Sequence, residues 1–297
     1  MKGTPRVTKA IQVSQNIEAA PAAVFAAYTD PAQVTRWLAE HAEIDVEAQT
    51  FALWGPSIPG TPAGNDGHMR LTHSEQDTRL EFEWRLLDDL TTAAITFEPQ
   101  DDGTLVTLEH LGIEDNDWAW TVGSFWSTQA ENLRSWVERG VAGPRFDYSS
   151  LGPGDIEVSA EIDAPASEVF KAIIEPEMVG RWMMSDNVTI EPEVGGDYDI
   201  GWEMDGPVKI IDLEPDRKLA YSWRSDFVGH ETLVTWELAE SAGKTRLTLM
   251  HSGFAPDARH GSYRTGWHGF LVQIKSLVEL GDKWQPLEWE IKDAVGA

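Results

Sequence analysis

Residues 17–38 read IEAAPAAVFAAYTDPAQVTRWL, and residues 162–183 read IDAPASEVFKAIIEPEMVGRWM. Aligned without gaps at an offset of 145, they share nine of 22 residues, among them Val-Phe, a Pro and a closing Arg-Trp. Two further blocks keep the same order. Residues 67–85 match 206–224 at an offset of 139, pairing Trp84 with Trp223 and Arg85 with Arg224. At an offset of 141, His110 pairs with His251, Gly112 with Gly253, Trp126 with Trp267 and Gly140 with Gly281. Three collinear blocks with rare Trp in register identify two copies of one domain. The turn-forming stretch Leu151-Gly152-Pro153-Gly154 joins them. The offset falls by six between Trp37 and Gly67, where the first copy carries GPSIPGTPAGNDG at 55–67, a loop. In the second copy Tyr198, Ile200, Trp202 and Met204 alternate with Asp199, Gly201 and Glu203 after Gly195-Gly196, the period of a half-buried strand.

Within each copy a short strand leads to Pro21 or Pro165 and a helix with one apolar face (Val24, Phe25 and Tyr28, or Val169, Phe170 and Ile173). Pro31 and Pro176 end it, and a second brief helix carries Trp37 or Trp182. Alternating runs then predict an antiparallel meander, with strands at 93–98, 104–111, 232–238 and 245–252. Trp126, Ala130, Leu133 and Val137, like Trp267, Leu271, Ile274 and Val278, recur at i, i+4, i+7 and i+11, the apolar stripe of a long helix closed by Gly140 or Gly281. The fold class is α+β: two tandem domains, each a curved antiparallel sheet wrapped around a long C-terminal helix, with two short helices after the first strand. The expected boundaries are 8–147, 154–282 and a C-terminal extension, 283–297. Trp284, Leu287, Trp289 and Ile291 make that extension too apolar for a solvated tail, so it is expected to pack on the first copy or the seam between copies.

The chain has 23 basic and 50 acidic residues in 297, a net charge of −27 shared almost equally by its halves. Such a field repels phosphate backbones and anionic lipid, so neither nucleic acid nor a membrane surface is an expected partner. It fits solubility at high salt, and a general acidic bias reads the same. Zero Cys removes disulfides, thiolate metal sites and cysteine nucleophiles. The first residues have no apolar signal core and no window approaches 18 apolar residues, making the cytoplasm the expected location.

Several motifs resemble the START-like, helix-grip (SRPBCC) superfamily, specifically the branch named for the activator of the Hsp90 ATPase. They are Ala-Pro-x-x-x-Val-Phe at Ala164 to Phe170, Pro176 with Arg181-Trp182, Gly195-Gly196, Pro215-Asp216-Arg217 before Leu219 to Trp223, Thr245 to Leu249 leading to His251-Ser252-Gly253, and Gly266-Trp267. The first copy keeps only part of this pattern: Arg36-Trp37, Leu80 to Trp84, Leu105 to Gly112 and Trp126. The resemblance implies a helix-grip fold with a cavity between sheet and terminal helix, in a superfamily where some members are cyclases or hydrolases and many only bind.

Strand parity puts His110 with Val106 and Leu108, and His251 with Leu247 and Leu249, on the face toward the helix. With Trp126 and Trp267 on the helix stripe, these side chains form a candidate site for an oxygen-bearing ligand, or a satisfied core. Trp84 and Trp223 are expected inward and Arg85 and Arg224 outward; an inward Arg would instead imply an anionic ligand. The candidate ligand-binding residues are Trp202, Trp223, His251, Trp267 and Leu271 in the second copy and Trp84, His110 and Trp126 in the first. No His spacing fits a metal site, no nucleotide loop or nucleophile elbow occurs, and no cofactor is expected; Asp115-Asn116-Asp117 lacks the rest of a calcium loop and reads as a solvated loop. The leading expectation is a non-catalytic holder of a small hydrophobic or aromatic molecule, with the better pocket in the second copy. The alternatives are a cyclase, dehydratase or hydrolase using His251 as acid and base, and a chaperone-regulating module acting through its outer surface.

Overall fold

The computed structural model describes residues 8–202, 208–224, 228–258 and 260–294. The chain forms two compact units, Met1–Leu151 with Leu287–Ala297, and Gly152–Pro286. Unit 1 runs β1 (Thr8–Ile17), α1 (Pro21–Thr29), α2 (Pro31–Trp37), β2 (His41–Asp45), β3 (Thr50–Trp54), β4 (Met69–Glu75), β5 (Arg79–Leu86), β6 (Asp89–Gln100), β7 (Gly103–Glu114) and α3 (Asp117–Arg139). Unit 2 runs β8 (Ile156–Ile162), α4 (Ala166–Ile174), α5 (Pro176–Met183), β9 (Thr189–Ile190), β10 (Tyr198–Asp199), β11 (Ile210–Glu214), β12 (Lys218–Trp223), β13 (Thr232–Ser241), β14 (Lys244–Ser252) and α6 (Gly261–Leu280). Strand order is β1-β7-β6-β5-β4 in one sheet and β8-β14-β13-β12-β11 in the other, antiparallel throughout. The helix-grip fold thus occurs twice.

The register repeats as well. His110 lies opposite Ile11 and Ala93, and His251 opposite Ile156 and Val234, the positions the repeat offsets pair. Local chemistry explains the shared helical insertion. Pro occupies the first turn of α1, α2 and α5, where its missing N–H costs no intrahelical bond. Asp30 closes α1 and caps α2, accepting from Ala32 N at 2.9 Å. The indole of Trp37 donates to Ala27 O at 3.0 Å and that of Trp182 to Ala172 O at 2.7 Å, each tying the second helix to the end of the first. These bonds are what the Trp of the Arg-Trp motif encodes.

Two local expectations change. The alternation from Tyr198 to Met204 makes a strand of two residues only, Tyr198–Asp199. Gly201 turns the chain away at φ +76°, with the Asp199 carboxylate accepting its N–H at 2.8 Å, and Met204 lies outside the described residues. In the first copy, by contrast, five-residue β2 and β3 form a regular hairpin. Of Asp115-Asn116-Asp117, the first two form the expected exposed bend and only Asp117 belongs to a helix: Asn116 caps α3, accepting from Trp118 N at 2.8 Å.

Beyond α6, Trp284 is buried in unit 2, where the Arg181 guanidinium sits 5.3 Å over its ring and donates to its carbonyl at 2.8 Å. The chain then enters β15 (Glu288–Ala294), which joins the sheet of unit 1 antiparallel to β1, from Thr8 opposite Ala294 to Ser14 opposite Glu288. Trp289 and Ile291 face α3 at Gly123, where a Cβ would lie 3.1 Å and 3.2 Å from them. Trp289 also meets Trp120 edge to face. The extension 283–297 is therefore divided, its Trp284 in unit 2 and its strand in unit 1.

Candidate functional site

In each unit the sheet's concave face and the long helix are joined by a chain of four polar groups. In unit 1, Trp126 Nε1 of α3 donates to His110 Nδ1 at 2.9 Å, His110 Nε2 meets Thr91 Oγ1 at 2.7 Å, and Thr91 Oγ1 donates to Trp84 O at 2.7 Å. In unit 2, Trp267 Nε1 donates to His251 Nδ1 at 3.0 Å, His251 Nε2 meets Thr232 Oγ1 at 2.8 Å, and Thr232 Oγ1 donates to Trp223 O at 3.2 Å. An indole nitrogen only donates, so Nδ1 must accept and the imidazole proton sits on Nε2. Each Thr lies directly opposite its Trp in the sheet, which fixes the last link.

The relay is closed to solvent. Both His are 0% exposed, and burial pushes each down from 6.5 to about 3; His260 adds to the depression of His251. Both rings are therefore neutral near pH 7, with each nitrogen engaged. Neither has a proton or lone pair to offer a substrate while the relay is intact.

Of the sequence-predicted residues, the structure gathers Trp84, His110 and Trp126 into one cluster. Trp84 stacks on His110 with centroids 5.4 Å apart and meets Trp126 at 6.0 Å. Trp223, His251 and Trp267 form the second, with Trp223 5.2 Å from Trp267 and 5.9 Å from His251. Leu271 is buried on α6 one turn beyond Trp267. Trp202 stands apart: it is 39% exposed and meets Phe270 at 5.9 Å. Trp84 and Trp223 point inward, whereas Arg85 and Arg224 are exposed, Arg224 paired with Glu231 at 2.9 Å. No cation therefore enters the clusters from these strands.

Sequence reasoning missed Thr91 and Thr232, although both sit at the 141 offset on inward strand positions. It also missed Gln15. A cavity of about 10 Å³ lies between sheet and helix in unit 1, lined by Val13, Gln15, Tyr28, Leu108, Trp126 and Ala130 among others. The Gln15 amide, oriented to satisfy its neighbours, donates to Ala130 O at 2.6 Å and accepts from Arg134 Nη2 at 2.7 Å. Arg134 and Glu131 form a buried pair on α3. In unit 2 the rings extend further: Trp182 and Trp267 both meet Trp236, and Tyr198 stacks on Tyr221 at 4.2 Å. Among the described residues no group of three or more His, Asp and Glu is placed to hold a metal. No described helix is long and apolar enough to cross a membrane.

A curved sheet gripping a long helix, present twice, with an aromatic and histidine cluster between them, defines a tandem START-like protein. The family described as activator of Hsp90 ATPase homolog 1-like protein matches residues 18–138 and again 163–279, and the chain belongs to that family. No curated protein matches the chain. Among solved structures, protein MLL2253 from Mesorhizobium loti is 26% identical over 43% of this chain and 98% of its own, with a TM-score of 0.39. PFC0360w, an HSP90 activator from Plasmodium falciparum, is 17% identical over 47% of this chain and 99% of its own, with a TM-score of 0.38. DynU16, from the dynemicin biosynthetic locus, is 17% identical over 91% of this chain and 98% of its own, with a TM-score of 0.37.

Proposed function

We propose that the two repeats, 8–147 and 154–282, hold a small apolar or aromatic molecule between sheet and terminal helix, without catalysis. The observation that carries this reading is the cavity of unit 1, which lies between those two elements and is lined chiefly by apolar and aromatic side chains. At about 10 Å³ it admits about one water, so a ligand enters only as the helix moves off the sheet or Trp126 and Tyr28 swing aside. Unit 2, with Trp182, Trp223, Trp236 and Trp267 in a continuous chain of ring contacts, is the better furnished holder. The neutral, doubly engaged His110 and His251 support binding over acid–base chemistry.

Native mass spectrometry of protein purified gently from its own source tests the proposal. A discrete adduct lost on denaturation is expected, and Ala130→Phe, which fills the cavity of unit 1, should reduce its occupancy. An adduct whose occupancy is unchanged in that variant and in the matching Leu271→Trp places the molecule elsewhere, and a bare chain at every protein concentration refutes the reading.

A further inference from the structure

Trp84 Nε1 and Trp223 Nε1 are buried and have no hydrogen-bond partner among the described residues. These two side chains occupy the same position of the repeat, on inward faces of β5 and β12, and are 0% and 4% exposed. A buried donor without an acceptor carries its full desolvation cost, and the groups around it show why none is supplied. The relay has already engaged the polar groups of each cluster: each helix Trp gives its N–H to His, His to Thr, and Thr to the carbonyl of Trp84 or Trp223. Besides His110 and His251, the rings that meet the two indoles are Phe125 and Trp126 in unit 1 and Tyr221 and Trp267 in unit 2. Tyr221 OH accepts from Trp236 Nε1 at 3.1 Å. The same orphan donor persists in two copies that have diverged widely around it.

We infer that Trp84 and Trp223 are ligand anchors, their indole N–H groups donating to a neutral oxygen, a carbonyl or ether, on a flat aromatic or polycyclic molecule. The inference rests on the binding reading above and names the chemistry of its ligand; Trp84 does not itself line the cavity of unit 1, and a ligand there reaches its N–H as Trp126, which lines the cavity and meets Trp84 at 6.0 Å, swings aside. The aromatic walls select flat rings by stacking and edge contacts. The oxygen is neutral because both His are neutral and Arg85 and Arg224 face solvent, so an anion would be buried without a countercharge. A ligand without an acceptor would leave the donors as they are in the free protein.

The test compares 9-fluorenone with fluorene, tricycles of the same outline that differ by one carbonyl, by isothermal titration of the full chain and by the indole N–H resonances of ¹⁵N-labelled protein. Fluorenone should bind about tenfold more tightly than fluorene, and should move two buried indole N–H signals downfield. Trp84→Phe with Trp223→Phe should erase the preference for fluorenone: fluorene makes no hydrogen bond to lose, and the contact area lost with the smaller ring is common to both tricycles and cancels in their ratio. Should that double variant not fold, the preference and the two downfield shifts in the native chain decide alone. Equal affinity for the two tricycles overturns the anchor and leaves the binding reading standing; binding of neither overturns both. A long-lived water contact at the two indoles that persists with fluorenone bound assigns the donors to structural water and also overturns the anchor.

Discussion

Acidification from pH 8 to pH 5 should destabilise each unit through its buried imidazole. An unfolded His titrates near 6.5, while burial holds His110 and His251 at about 3 in the folded chain. The contribution is fully present above pH 6.5, where both states are neutral. As the pH falls below 6.5 the unfolded chain takes up a proton that the folded chain refuses, and stability is lost progressively down to about pH 3. At pH 5 the unfolded state is favoured by about 1.5 units per His, which at about 1.36 kcal/mol per unit is about 2 kcal/mol for each unit of the protein. Urea denaturation followed by tryptophan fluorescence at pH 8, 6.5 and 5, at fixed ionic strength, measures this in the native chain and in His110→Gln and His251→Gln. Surface carboxylates titrate alike in all three proteins and cancel in the difference. The stability gap between native chain and variant should therefore shrink by about 2 kcal/mol on going to pH 5. A gap that stays constant across this range would refute the reasoning, since the rings would then be open to protonation in the folded state.

Thr232→Val removes the acceptor of His251 Nε2–H and should destabilise unit 2 by about 1–3 kcal/mol in urea, with Thr91→Val doing the same to unit 1; unchanged midpoints would show that the relay holds nothing. A chain ending at Pro286 lacks β15 and should lower the melting temperature of unit 1 while sparing unit 2, as read by amide exchange on β1 and β8. Gly123→Leu pushes a side chain into space already occupied by Trp289 and Ile291, and should raise exchange along β15 without loss of the β1–β7 pairing.

The repeat made the architecture legible, because matching the halves located the three helices and four strands of each copy, though not the edge strands β4 and β11 or the hairpin of β2 and β3. Inward Trp and outward Arg followed from strand parity once Leu80, Phe82 and Trp84 were read as one face. Three things escaped. The strand expected to run to Met204 ends at Asp199, since a local Asx turn and a positive φ at Gly201 outweigh alternation over so short a span. Thr91 and Thr232 were hidden because Thr is ordinary in strands, and only the geometry shows which hydroxyls meet His. The packing of the extension on the first copy was legible from Trp289 and Ile291, but its entry into the sheet as a strand was not: its partner, β1, lies some 280 residues earlier, and pairing at that distance leaves no mark in local sequence. Buried Glu131 and Arg134 on α3 likewise contradict a simple apolar stripe, because they pair with each other and Arg134 also donates to Gln15 of β1.

During synthesis, the long separation between β1 and β15 becomes a time. A ribosome adds on the order of ten residues per second, so roughly fifteen seconds pass between completion of α3 and the appearance of Glu288. Throughout that interval the nascent first repeat presents β1 as a bare sheet edge, the kind of template on which neighbouring chains associate. Lys9 on that strand, which in the finished protein meets Asp293 at 2.6 Å and Asp115 at 3.4 Å, then has only Asp115 of its own repeat beside it, and a Lys on an open edge discourages edge-to-edge pairing. The ion pair that fastens the final strand thus begins as a guard on the vacant edge, and polypeptides released early keep the guard but never gain the closure.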